Sequence, residues 1–131
     1  MKKPYVKPAI RSRLSRLGDI EAGARFAQKR SVPRYPFAAR ANVVEPISRL
    51  ESEGRTSDIS LKGCFVESLD QFPLNSIVQV RIEAASEAFE TWGRVAHVRR
   101  ALGTGVSFLQ IAPEQQLILQ TWVEIAKSLK R

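Results

Sequence analysis

The chain has 131 residues, of which 44% are hydrophobic and 26% are charged, and its formal net charge at pH 7 is +8. This length and composition predict one globular domain with its own core and exclude a wholly disordered chain. A single cysteine and a single histidine exclude an internal disulfide and a zinc cage, and no apolar run is long enough to span a bilayer. We therefore expect a cytoplasmic protein without a metal site or cofactor.

The positive charge is concentrated at the N-terminal end of the chain. Residues 1–34 hold ten lysines and arginines against two acidic residues, whereas basic and acidic residues are equal in number in the remainder. We interpret residues 1–28 as a basic arm, in which Ile10, Leu14 and Leu17 have helical spacing. The arm is predicted to be flexible or partly helical, because short isolated helices are marginal in water. Its charge implies a polyanionic partner.

Two arginines follow the arm on a segment that proline keeps out of any helix. Pro33 and Pro36 hold the chain extended there, so Arg30 and Arg34 are expected on an irregular loop at the edge of the folded body. Guanidinium groups on such a loop can bind phosphate oxygens, pair with a guanine edge or stack on a base. A solvated basic linker would show the same residues, so both interpretations stay open here.

From residue 37 onward, apolar residues alternate with polar ones in short runs, as in strands with one buried face. Turn signals separate the runs, among them Glu53-Gly54 and the stretch Asp70 to Pro73. About six such strands predict a mainly β fold, a six-stranded antiparallel, or split, β-barrel, because closure removes the exposed edges of apolar strands. The barrel domain is expected to cover residues 29–131.

One stretch of this pattern combines a carboxylate, a hydroxyl and a glycine. If the strand alternation holds, Asp58, Ser60 and Lys62 share an exposed face while Ile59 and Leu61 face the core. A carboxylate beside a hydroxyl can accept from an N–H edge such as that of guanine, and Gly63 leaves open space beside them. The alternative is an ordinary turn between strands, for which these residue types are also typical.

The last element is a predicted helix from Pro113 to Arg131, opened by proline and Glu114. It is expected to pack either across the barrel or against a second subunit, which would make the protein a homodimer. Its apolar stripe is predicted to consist of Ile118, Trp122, Ile125 and Leu129.

The sequence contains no recognisable set of catalytic residues. It contains no nucleophile elbow, no His-Glu-x-x-His and no phosphate-cradling Walker loop. Cys64 lies in an apolar run and is expected to be a buried thiol, and His97 to be a surface or partly buried imidazole. We therefore expect a binding protein and not an enzyme.

The arginine pair and the later stretch, taken together, closely resemble the signature of the PilZ domain family. Arg30-x-x-x-Arg34 precedes Asp58-x-Ser60-x-x-Gly63 in the order and at the separation that the family shows. The resemblance extends to Gly93-Arg94-Val95 and to Gly103-x-Gly105-Val106-x-Phe108, so that it covers about residues 29–131.

This resemblance implies a small barrel that binds the bacterial second messenger cyclic di-GMP. Arg30 and Arg34 would hold phosphates and guanine edges, and Asp58 and Ser60 would bond to guanine. Gly63 would leave room for the ligand, and Lys29 would supply extra contacts. His97 departs from members that carry a tryptophan near the ligand, which puts base stacking at this position in doubt.

The resulting hypothesis is a cyclic di-GMP receptor that rearranges its arginine loop and signals to a protein partner controlling motility, exopolysaccharide or a related output. Two alternatives remain. One is a nucleic-acid-binding barrel that uses the basic arm, and the other is an adaptor with the same fold that binds only proteins.

Overall fold

The structure, a computed structural model, describes residues 32–129, which form seven β-strands and one helix. The basic arm over residues 1–28 lies outside the described residues, as do Lys29 and Arg30, so their predicted roles stay predictions. The elements are β1 Tyr35–Pro36, β2 Arg40–Glu45, β3 Leu50–Ile59, β4 Gly63–Glu67, β5 Ile77–Ala84, β6 Glu87–Arg99, β7 Gly103–Leu109 and α1 Pro113–Leu129.

Six of the strands close into a ring, in the order β3, β2, β5, β6, β7, β4, with β4 pairing back onto β3. Every pairing is antiparallel. The ten-residue β3 makes closure possible because its first half pairs with β2 and its second half with β4. The predicted six-stranded antiparallel barrel with a C-terminal helix is thereby confirmed.

Alternating side chains fill the inside of the barrel. In β5, Val78, Val80 and Ile82 are buried while Gln79 and Arg81 face outward, as the period of two requires. The same alternation in the other strands supplies the remaining inward side chains, which include Ala41, Val43, Ile59, Cys64, Val66, Phe89, Val95 and Val106. Burying this apolar set against itself is what makes the ring stable.

The turn predicted at Glu53-Gly54 is wrong, because both residues lie inside β3. The chain reverses instead at residues 46–49, where the Glu45 carboxylate accepts hydrogen bonds from the backbone N–H of Ile47 at 3.1 Å and Ser48 at 2.8 Å. Gly54 allows β3 and β4 to approach each other closely, because a Cβ at this position would overlap the Glu67 carbonyl oxygen of β4. Gly54 therefore lies where the pairing of β3 with β4 closes the ring, and not in a hairpin turn.

Helix α1 packs on the barrel through a face that matches the predicted stripe in part, since Ile118 and Trp122 contact the core. Leu119, Trp122, Val123 and Ala126 are buried, whereas Ile125 is 47% and Leu129 77% exposed. Trp122 stacks on Phe37 with ring centroids 5.5 Å apart and meets Phe89 edge-on at 6.2 Å. Within residues 32–129, no helix is long and apolar enough to cross a membrane.

Two leucines of α1 test which face holds the helix on the barrel. Leu119 is fully buried and Leu117 is 66% exposed, so the same substitution to alanine removes very different amounts of buried surface. Leu119→Ala should lower the free energy of unfolding by about 2–5 kcal/mol, because it leaves a cavity. Leu117→Ala should change it by no more than about 0.5 kcal/mol.

Urea denaturation followed by tryptophan fluorescence measures both variants. Equal losses of stability for Leu117→Ala and Leu119→Ala would contradict the packing of α1 described here.

Candidate functional site

Four residues form a row across the outside of the barrel wall. Asp58 of β3 lies opposite Phe65 of β4, Phe65 opposite Gly105 of β7, and Gly105 opposite His97 of β6. Directly opposed residues of antiparallel strands share a face. Their chain neighbours Cys64, Val66 and Val106 point into the core, so this row, here called the outer row, faces away from it.

Gly105 lets two rings lie together on this wall. A Cβ at Gly105 would overlap the His97 imidazole, so the missing side chain allows that ring to fold across β7. The imidazole then stacks on Phe65, with centroids 5.8 Å apart and an interplanar angle of 23°. The guanidinium carbon of Arg99 lies 5.9 Å from the Phe65 centroid. Phe65 is only 7% exposed although it points outward.

The segment before the barrel brings Arg34 to the outer row. In the two-residue β1, Tyr35 pairs with Ile59 and Pro36 with Asp58. The backbone N–H of Phe37 then donates to the Ser57 carbonyl at 3.1 Å. Arg34 Nη1 consequently lies 4.0 Å from Asp58 Oδ2, with both side chains partly exposed. Of the two predicted arginines, the described residues include Arg34, and the structure places it beside the predicted acid.

The Asp58 carboxylate has one oxygen with a near charge and one without a partner. Oδ2 faces Arg34, at a distance too long for a hydrogen bond. Oδ1 is buried, and no group within residues 32–129 donates a hydrogen bond to it. A buried carboxylate oxygen without a donor is costly, and native structures rarely leave one so. The oxygen therefore keeps an unused capacity to accept a hydrogen bond among the described residues.

Ser60 and Gly63 differ from their predicted arrangement. Strand β3 ends at Ile59, so Ser60 is 3% exposed while Leu61 is 38% exposed, which reverses the expected inside and outside. The Ser60 hydroxyl accepts from the backbone N–H of Lys62 at 3.0 Å and of Gly63 at 3.1 Å, which holds the tight turn into β4. A Cβ at Gly63 would overlap the Val106 carbonyl oxygen. Both residues shape the turn, and their contact with a ligand stays a prediction.

The charges of the wall act on the two titratable groups nearest to it. Burial lowers the pKa of the His97 imidazole below its ordinary value, and the positive charges of Arg34 and Arg99 lower it further, while Asp58 acts in the opposite sense. Burial raises the pKa of the Cys64 thiol to about 12, with Asp58 adding to the effect and Arg34 opposing it. Cys64 is thus the buried, protonated thiol that the sequence predicted.

Phe65 and Arg99 belong to this wall but were not predicted as site residues. The one signal in the sequence was the spacing Gly103-x-Gly105, which marks positions where a neighbouring ring can lie on the backbone. Only the register of β4 and β7 brings Phe65 to these glycines, where its ring lies against Gly103 and the His97 ring lies on Gly105. In the part of the chain that the structure describes, no group of three His, Cys, Asp or Glu side chains is arranged to hold a metal ion.

A protein-family model, that of the PilZ domain, matches residues 28–124. The matched range contains both arginines of the predicted pair, the Asp58 to Gly63 stretch, the whole barrel and most of α1. The chain has no match among the curated protein sequences.

Two solved structures are similar to this fold. The inhibitor of motility of Bacillus subtilis (MotI/DgrA) has a TM-score of 0.64 and 19% identity, over 80% of this chain and 54% of that one. The PilZ domain of CeSA from a cellulose-synthesising bacterium has a TM-score of 0.56 and 16% identity, over 76% and 99%. The chain thus spans about half the length of the motility inhibitor, and at these identities the likeness concerns the fold.

Ser60 offers a test of its role in the turn. Ser60→Ala removes the acceptor of two backbone N–H groups at a buried position, so it should lower the free energy of unfolding by about 1–3 kcal/mol without any ligand present. Ser128→Ala is the control, because that exposed hydroxyl donates only to the Ile125 carbonyl of its own helix. Unchanged stability of the Ser60 variant in urea denaturation would mean that the hydroxyl does not hold the turn.

Proposed function

This chain belongs to the PilZ domain family, and we propose that it is a cytoplasmic cyclic di-GMP receptor that signals to a protein partner. Domains of this family are binding and effector modules. The barrel, the pairing of Arg34 with Asp58 and the absence of a catalytic motif in the sequence all support a binding role for this chain.

The unpartnered Oδ1 of Asp58 is the observation that carries the proposal. Guanine presents two N–H donors on one edge, at N1 and N2, and a carboxylate is the side chain that accepts from such an edge. Oδ1 is buried and lacks a donor from residues 32–129, so a guanine bonded there would remove the cost of an unpaired acceptor. Hydrogen bonds to a charged group stabilise more than neutral ones.

Arg34 is the proposed partner for the phosphates. Its guanidinium is partly exposed and lies 4.0 Å from Asp58, so the ion pair is weak and can be exchanged for a stronger contact. A cyclic dinucleotide carries two phosphate charges, to which a guanidinium can donate two parallel hydrogen bonds. We propose that Arg30 and Lys29 add to this grip, and that Ser60 and Gly63 line the ligand from the turn side.

The response to ligand is proposed to begin in the segment that carries Arg34. This segment is attached to the barrel by the two-residue β1 and by Phe37, whose ring stacks on Trp122 of α1. A ligand that draws Arg34 toward its phosphates would therefore act on both β1 and α1. The altered surface around them is what a protein partner would sense.

The output class is proposed from the similar structures. One of them is named as an inhibitor of motility, and the other comes from a cellulose-synthesising bacterium. We propose a related output here, in motility or in exopolysaccharide production.

Binding of cyclic di-GMP to purified full-length protein, measured by isothermal titration calorimetry, tests the proposal. Arg34→Ala and Asp58→Asn should each weaken binding by about 10- to 150-fold, because each removes charged hydrogen bonds that contribute roughly 1.5–3 kcal/mol. Arg81→Ala is the matched control. Arg81 is an exposed arginine on β5, on the opposite side of the ring from β4, where it pairs with Glu83 and Glu90.

The outcomes separate the proposed function from its alternatives. No heat and no thermal shift at saturating cyclic di-GMP would reject the receptor. Affinity for an oligonucleotide that collapses with salt and survives Asp58→Asn would instead indicate a nucleic-acid-binding protein. If Arg81→Ala weakened binding as much as Arg34→Ala, the affinity would depend on the overall charge of the protein and not on the groups at the outer row.

A further inference from the structure

His97 occupies one end of the outer row, yet nothing in the proposed binding scheme uses its chemistry. Its ring is exposed on one side and lies against Phe65 on the other, within the same wall as Asp58 and Arg34. It is the single histidine of the chain. Histidine is the side chain whose unperturbed charge changes between pH 5 and 8, so this position makes a proton available beside the ligand.

We propose that His97 couples ligand binding to proton uptake, so that the protein binds cyclic di-GMP more tightly as the pH falls from 7.5 to 5.5. This inference rests on the proposed function and adds to it a regulation of the same site. Without ligand, burial and the nearby guanidiniums favour the neutral imidazole. When the dianionic ligand occupies the outer row, one proton from the buffer binds the unprotonated ring nitrogen, and the imidazolium adds a further positive charge to the ligand's surroundings.

The groups that face His97 explain why it is neutral before the ligand binds. Arg99 comes from its own strand β6 and Arg34 from the segment before β1, and both repel a further positive charge. Asp58 of β3 attracts it, while Phe65 of β4 and Gly105 of β7 bring no charge. Partial burial and the two guanidiniums outweigh the single carboxylate, and the pKa of the imidazole lies below its ordinary value.

A bound dinucleotide reverses this balance. Its two phosphate charges offset the guanidiniums that repel the imidazolium, while the Asp58 carboxylate, which attracts the imidazolium, keeps its charge when a neutral guanine bonds to it. The pKa of His97 must then rise on binding, since an anion within a few ångströms favours the charged form. Between the two pKa values the complex holds more protons than the free protein, so affinity increases as the pH decreases.

The magnitude of the coupling has an upper limit. One proton taken up changes the affinity by at most about tenfold per pH unit, over the interval between the free and the bound pKa. We expect about tenfold tighter binding at pH 5.5 than at pH 7.5. The ligand itself does not titrate in this range.

Calorimetry on the full chain at pH 7.5 and 5.5 tests the inference, with runs at pH 6.5 in two buffers of different ionisation enthalpy. On binding cyclic di-GMP, each molecule of the wild-type protein should take up between about 0.3 and 1 proton. His97→Gln and His97→Asn, which keep a polar group without a titratable ring, should show no uptake and an affinity that does not increase on acidification. Arg81→Ala should retain both the uptake and the slope.

Each outcome either supports the inference or overturns it. Absence of proton uptake by the wild-type protein would overturn the inference, and so would the same pH dependence in the His97 variants, since another group would then carry the proton. Equal affinities at pH 7.5 and pH 5.5 would overturn the inference while leaving the proposed function intact. Absence of binding at both pH values would instead reject the proposed function itself. If a His97 variant is unstable, the proton uptake of the wild-type protein still tests the inference.

Discussion

The pairing of β3 with two different strands is the constraint on which the rest of the structure depends. Its first half pairs with β2 and its second half with β4, which closes the ring, and its far end also accepts β1. Closure leaves the sheet without a long free edge. The same strand carries Asp58 between β4 and β1, so the strand that closes the barrel also places Arg34 beside the acid through its pairing with β1.

The candidate site is built on the outside of the barrel, where ordinary packing would leave a flat polar wall. Gly105 removes the obstacle between neighbouring strands, so that the ring of His97 reaches Phe65 across β7. The result is an aromatic surface flanked by two guanidiniums and one carboxylate. Such a wall suits a ligand that combines flat bases with anionic phosphates, since each part of the ligand finds its own kind of group.

The site is also electrostatically incomplete, which is typical of a binding surface. Arg34 and Asp58 are near each other without forming a full hydrogen-bonded pair, and Oδ1 of Asp58 lacks a donor within residues 32–129. Burial and the two guanidiniums lower the pKa of His97. A single anion with N–H donors would suit all three groups, and under the proposed function they would respond to it together.

The sequence by itself determined the barrel, because a period of two in runs such as Val78, Val80 and Ile82 reports directly which face is buried. The resemblance to a family signature also predicted that Arg34 and Asp58 lie close together, and the structure places them 4.0 Å apart. The sequence misjudged Gly54, part of the buried face of α1 and the exposure of Ser60, and it did not find Phe65 or Arg99. These depend on which strand approaches which backbone and on where a helix rests. Local periodicity is a property of adjacent residues, whereas register and close approach arise only when distant segments pack, and so the tertiary structure alone decided them.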